Sequence, residues 1–132
     1  MAMHILVAED DANIRDGLKD TLELESYEVT TAVDGKDAVA KFAAGDFDLI
    51  LLDIMMPQVN GYDVCKQIRQ TNQRTPIIFL TAKGETDDRI KGLETGADDY
   101  VSKPFNSKEL LLRVKSIFKR VNKETQTTGA RI

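Results

Sequence analysis

The segments "FDLILLD" (47–53) and "PIIFLTA" (76–82) are apolar at nearly every position rather than at every second one. A strand with one wet face alternates. Unbroken apolar runs of this length suit strands covered on both faces, as in a parallel sheet between two layers of helices. The other elements fit that frame. "HILVAE" (4–9) is a first short apolar run, "YEVTTA" (27–32) a β-branched second strand and "DYVS" (99–102) a brief fifth. Ile14, Leu18 and Leu22 recur at four-residue spacing, the stripe of an amphipathic helix. "DG" at 34–35 turns the chain and opens a helix with Ala38, Val39 and Phe42 on its inner face. "NGYDVCKQIRQ" (60–70) places Val64, Cys65 and Ile68 on one helical face. "TDDRIKGLETG" (86–96) reads as a helix capped by Thr86 and ended by Gly96. Asn106 and Glu109 form a capping-box start for a last helix carrying Leu110, Val114, Ile117, Phe118 and Val121. Five strands alternating with five helices predict an α/β three-layer sandwich with right-handed crossovers. One domain is expected over 1–121, and the polar, Thr-rich "NKETQTTGARI" (122–132) reads as a linker or tail.

Composition narrows the function classes. The 132 residues are 42% hydrophobic and 30% charged, a soluble globular balance. No run approaches the roughly 20 apolar residues of a membrane span. "MAMH" lacks the layout of a secretion signal, so a cytoplasmic location without membrane attachment is expected. The lone cysteine, Cys65, suits a reducing compartment and reads as core. A net charge of −4 argues against this segment gripping DNA by itself.

The chemistry gathers at strand ends. In an open parallel sheet, ligands bind outside the carboxyl ends of the strands. The first run stops at Glu9, Asp10 and Asp11, the third at Asp53, the fourth at Thr81, and Lys103 follows the fifth. Clustered carboxylates repel one another unless a cation or a proton relieves them. Mg²⁺ takes oxygen ligands of this kind, and a lysine and a threonine hydroxyl suit a small anion beside it. That pairing points to a phosphoryl group, with Asp53 as nucleophile because it alone ends a strongly apolar central strand. An unpaired buried charge is costly, so Asp53 is expected at a solvent-reachable edge or with a partner.

At these residues the sequence resembles the CheY-like receiver domains of two-component response regulators. The matching text is "ILVAEDD", "DLILLDIMMPQVNGYDVC", "PIIFLTA" and "GADDYVSKPF", and the likeness covers about residues 4–121. It implies a flavodoxin-like sheet of order 2-1-3-4-5. It implies phosphorylation of Asp53 by a sensor histidine kinase, and a switch that assists its own phosphotransfer and autodephosphorylation. Asp10, Asp53 and the Met55 carbonyl would ligate Mg²⁺ (or Mn²⁺), with Glu9 acting through a bound water. Lys103 would pair with the phosphoryl oxygens and form a cis peptide with Pro104, while Thr81 and Tyr100 would carry the switch. Glu9 departs from the usual aspartate by one methylene. The resemblance also implies that Met55 and Lys83 stand at positions that vary in the family and influence phosphoryl lifetime.

The segment from Asp87 to Arg120 is similar to OmpR/PhoB-type receivers, which dimerise through the fourth helix, fifth strand and fifth helix. Arg89, Lys91, Glu94, Asp98, Asp99, Lys108, Arg113 and Arg120 are the charged candidates; the competing reading is a solvated helical face. In that subfamily a DNA-binding output domain follows, so DNA contact is expected only through such a domain and transcription is the expected output.

Two other functions fit less well. A Mg²⁺-dependent phosphohydrolase of the haloacid-dehalogenase-like type places a second Asp two residues after the nucleophile, and here that position is Met55. A nucleotide or flavin binder lacks a GxxxxGK[ST] loop to hold phosphates. His4 reads as structural, Tyr27 and Tyr62 as ordinary packing or surface residues, and Gly61 as the residue that lets the chain turn after Pro57.

Overall fold

The computed structural model describes residues 3–81, 96–102 and 106–130. Its elements run β1 (His4–Ala8), α1 (Ala12–Leu24), β2 (Glu28–Ala32), α2 (Gly35–Ala44), β3 (Leu49–Asp53), α3 (Gly61–Thr71), β4 (Ile77–Thr81), β5 (Asp99–Ser102) and a C-terminal helix (Ser107–Ala130). Residues 86–95 of the expected fourth helix lie outside the described residues. All strand pairs are parallel and the order is β2-β1-β3-β4-β5, as expected.

The unalternating runs serve two cores. Ile5, Val7, Leu49, Leu51, Ile78 and Leu80 face one side, against Leu18 and Leu22 of α1 and Leu110, Val114, Ile117 and Phe118 of the C-terminal helix. Leu6, Ala8, Ile50, Leu52, Ile77 and Phe79 face the other, against Ala38 of α2 and Val64, Cys65 and Ile68 of α3. Each such aliphatic side chain contributes about 1.5–3 kcal/mol of burial, which is why β3 carries no polar residue before its last.

Among the described residues, α1, α2 and α3 each start on a side-chain cap. Asp11 accepts from the Ile14 N–H at 3.1 Å, Asp34 from Asp37 at 2.8 Å and Asn60 from Asp63 at 3.0 Å. Such caps typically contribute about 1 kcal/mol and stop the strand-end loops short of solvent-driven fraying. α1 closes with a Schellman motif: Tyr27 N–H bonds the Leu22 carbonyl and Ser26 N–H that of Glu23, with Ser26 at φ +68°. The motif sets Tyr27 edge-on against Phe118, ring centroids 5.4 Å apart, and burial pushes its phenol above the usual range.

Two expectations change. The C-terminal helix continues to Ala130, past the break expected at Asn122; residues 122–128 are polar but contain no proline or glycine to stop a helix. The tight turn after Pro57 is made by Gln58, at φ +69°, and not by Gly61. Gly61 is there for close approach: a Cβ would press into the Asp53 carbonyl oxygen and lie 2.8 Å from Ile54 Cα.

His4 is structural, as expected. Its ring nitrogens lie 2.7 Å from Thr30 Oγ1 and 3.0 Å from the Asp46 carbonyl, and its backbone N–H donates to Asp48 Oδ2 at 2.8 Å.

Candidate functional site

β1 and β3 are neighbours at the centre of the sheet, paired from Ile5↔Leu49 to Ala8↔Leu52, so their carboxyl ends emerge side by side. Glu9 follows β1 directly and is tied to the end of β2 by its N–H, which donates to the Ala32 carbonyl at 3.1 Å, and Asp53 is the last residue of β3. The result is a trio: one carboxylate oxygen each from Glu9, Asp10 and Asp53 lie within 4.8 Å of one another. Asp53 does not sit at a solvent-reachable edge; it is 2% exposed, Glu9 is 1% exposed, and only Asp10 is open to solvent.

Local hydrogen bonds aim these groups. Glu9 Oε1 accepts the Asp11 N–H at 3.2 Å, and Asp53 Oδ1 accepts the Met55 N–H at 3.2 Å. Each bond limits the rotation of a carboxylate whose helix or loop neighbour is itself fixed, since Asp11 caps α1. Ile54 N–H bonds the Leu80 carbonyl at 3.1 Å, and the Ile54 carbonyl accepts from both Met56 and Gly61, which closes the loop tightly after Asp53.

Three carboxylates this close favour a cation in their midst. The donor set is all oxygen, without histidine or cysteine, which fits a hard divalent ion and not zinc. The trio could therefore bind a metal.

The other expected residues divide. Met55 is 71% exposed beside Asp53, so its side chain is no core filler, whereas Met56 is buried. Thr81 ends β4, one residue beyond Leu80, the register partner of Asp53. Tyr100 in β5 is half-buried against the core that contains Phe79. Lys83, Lys103 and the Lys103–Pro104 peptide lie outside the described residues, as do Arg89, Lys91 and Glu94. Of the remaining charged candidates, Arg113 pairs with Asp99 at 3.0 Å and Arg120 with Asp98 at 3.5 Å, both within the chain. Lys108 is exposed. Asp98 also meets Arg69 at 3.1 Å and accepts the Ile77 N–H at 2.9 Å.

One residue escaped the sequence reading: Arg15, whose guanidinium reaches back from α1 to the acid-bearing loop. Its one available signal is a basic residue one turn into the helix that follows an acid triplet.

Comparison with known proteins bears on this arrangement. The family model described as the response regulator receiver domain matches residues 5–115. The chain is 49% identical over 118 residues to the transcriptional regulatory protein ResD of Bacillus subtilis, covering 89% of this chain and 49% of that protein. It is 47% identical over 128 residues to the transcriptional regulatory protein CpxR of Klebsiella pneumoniae, covering 96% of this chain and 54% of that one. The chain thus spans about half the length of the curated relatives it matches. Among solved structures, the receiver domain of the Francisella response regulator 1452 superposes with a TM-score of 0.85 at 39% identity, over 90% of this chain and 98% of that one. A CheY-like receiver domain protein from Methanospirillum hungatei gives 0.89 at 31% identity, over 94% and 99%. Family match, shared fold and the position of the acids agree, and the chain belongs to the receiver domains of two-component response regulators, most like the OmpR/PhoB type.

Proposed function

We propose that Asp53 is the phosphoacceptor of this receiver, in a reaction that requires Mg²⁺ or Mn²⁺. The observation that carries the reading is the trio itself: Glu9, Asp10 and Asp53 bring carboxylate oxygens within 4.8 Å of one another where two central strands end. With Glu9 acting through a bound water, Asp10, Asp53 and the Met55 carbonyl would hold the ion. When bound, it supplies positive charge that offsets the carboxylates and the phosphoryl oxygens. The chain's own groups do the rest. A carboxylate oxygen of Asp53 attacks the phosphorus of a phosphohistidine on a sensor kinase; an O–P bond forms as the P–N bond breaks and the imidazole leaves with the electron pair. The Met55 N–H holds Asp53 Oδ1 and so presets the carboxylate plane for attack. Lys103 would pair with the phosphoryl oxygens and Thr81 would turn its hydroxyl toward them, while Tyr100 moves into the space left behind. New charge then biases a two-state surface formed by the fourth helix, β5 and the C-terminal helix. The same site would hydrolyse its own aspartyl phosphate slowly, because Met55 offers no acid or base at the position where a phosphohydrolase needs one.

Intact-mass analysis after incubation with acetyl phosphate and Mg²⁺ tests the assignment. One added phosphoryl group is expected, absent in Asp53→Asn. An undiminished adduct in that variant would move the acceptor elsewhere.

The curated relatives named as transcriptional regulators support a longer protein with a DNA-binding output segment, with residues 1–121 as the receiver. No helix of the described residues is long and apolar enough to cross a membrane. Phosphorylation would favour a homodimer through the same switched surface, where Asp98, Asp99, Arg113 and Arg120 would exchange partners within the chain for partners across it. Sedimentation with and without beryllofluoride is expected to show a monomer turning into a dimer. A monomer in both conditions at high concentration would remove the interface.

A further inference from the structure

We propose that Arg15 is a positioning residue for the cation site, holding the acid-bearing loop from its backbone side. The inference rests on the metal reading of the trio and adds to it a residue that is not itself a ligand. Arg15 Nη1 donates to the Glu9 carbonyl at 2.9 Å and, at the longer distance of 3.4 Å, to that of Asp10. These are the peptide groups of the two residues that bring two of the three carboxylates.

The geometry separates two roles that arginine usually combines. A guanidinium beside several carboxylates ordinarily pairs with them, because the fork matches a carboxylate and the charge never titrates away. Here its hydrogen bonds go to carbonyl oxygens, while Glu9 Oε1 takes the Asp11 N–H. Arg15 is itself well anchored: it lies in α1, its own N–H bonds the Asp11 carbonyl at 2.9 Å, and Asp11 caps the same helix. The rigid helix is thereby coupled to the peptide planes from which the Glu9 and Asp10 side chains depart. Groups that orient ligands without touching the metal typically change affinity by about 10–100-fold when removed.

Charge alone predicts the opposite sign. A fixed positive charge near a divalent-ion site repels the ion, so deleting it tightens binding if Arg15 acts only through its charge. If Arg15 acts by positioning, deletion weakens binding in spite of the lost repulsion.

The test uses the full chain and Mn²⁺ as probe, with free ion measured by electron paramagnetic resonance. Arg15→Met is expected to weaken Mn²⁺ binding by about tenfold. Arg15→Lys, which still offers a donor to the carbonyls, is expected to recover part of the loss. Phosphorylation of Arg15→Met by acetyl phosphate is expected to need more Mn²⁺ but to approach the wild-type rate at saturation, a split that general loss of structure would not produce. Circular dichroism in chelator checks that each variant is folded, and the lysine variant carries the test if the methionine variant is not. Unchanged or tighter binding in folded variants overturns the positioning role and leaves the metal site standing. Failure of the wild-type chain to take up Mn²⁺ overturns both.

Discussion

Gly61→Ala is expected to destabilise the chain by about 3 kcal/mol and to disable the acid site in the same stroke. The added Cβ would press into the Asp53 carbonyl oxygen, 2.8 Å from Ile54 Cα and 3.0 Å from the Asp53 carbonyl carbon. All three are backbone atoms, so no side chain can swing aside. Either β3 withdraws its last residue, which carries the proposed acceptor, or α3 backs away and breaks the Gly61 N–H bond to Ile54. Urea unfolding and Mn²⁺ titration read the two consequences separately. Gly17→Ala is the matched control: it lies in α1, exposed, with nothing within 4 Å of a new Cβ. There the same substitution should stabilise by about 0.5–1 kcal/mol through helix propensity. A loss of only a few tenths at Gly61 would show that the approach is slack.

Divalent ions should stabilise the folded chain through the same site, and Asp53→Asn should remove most of that increment. At a hundred times its dissociation constant, an ion that binds only the folded chain stabilises it by about 2.7 kcal/mol. The trio comes from residues 9, 10 and 53, so the unfolded chain cannot assemble it, and the increment should appear in full. Asp53→Asn keeps the shape of the side chain and removes one of the crowded negative charges. In chelator this variant should melt above the wild type, with a gain of about 1 kcal/mol from relieved repulsion. In Mg²⁺ it should gain little more, so the order of the two melting temperatures inverts between buffers. A variant that melts lower than wild type in chelator would mean that Asp53 holds the fold together more than it strains it.

Much of this molecule could be read from the residues alone, for identifiable reasons. "LILLD" announced a strand covered on both faces because both cores draw on it, and the acids were legible because polar side chains stop apolar runs. Sheet order was not in the periodicity; it followed from the likeness to a family. The last helix runs on through the polar residues after Asn122, because polarity by itself does not stop a helix. Gly61 was given the wrong role and Arg15 was missed for a shared reason. Their roles depend on what stands across a loop, on the Asp53 carbonyl and the Glu9 carbonyl, and spacing within a short segment carries no trace of that. The burial of Asp53 is of the same kind, since its neighbours come from other segments, Leu80 as its register partner in β4 and Glu9 and Asp10 beside it.

The strand that carries Asp53 also faces a problem of alignment. A strand that alternates cannot slip by one residue without turning its apolar side to water, but "LILLD" could slide and still present leucine or isoleucine to both cores. What prevents it is the aspartate at either end. Asp48 is pinned outside the sheet, its N–H on the His4 carbonyl at 2.7 Å and its carboxylate on the His4 N–H, and Asp53 closes the far end. A slip in one direction pulls the exposed Asp48 between the layers; a slip in the other carries Asp53 away from Glu9 and Asp10. The proposed acceptor therefore doubles as a stop for the strand that delivers it, and a misaligned molecule is penalised by the very carboxylate it would misplace.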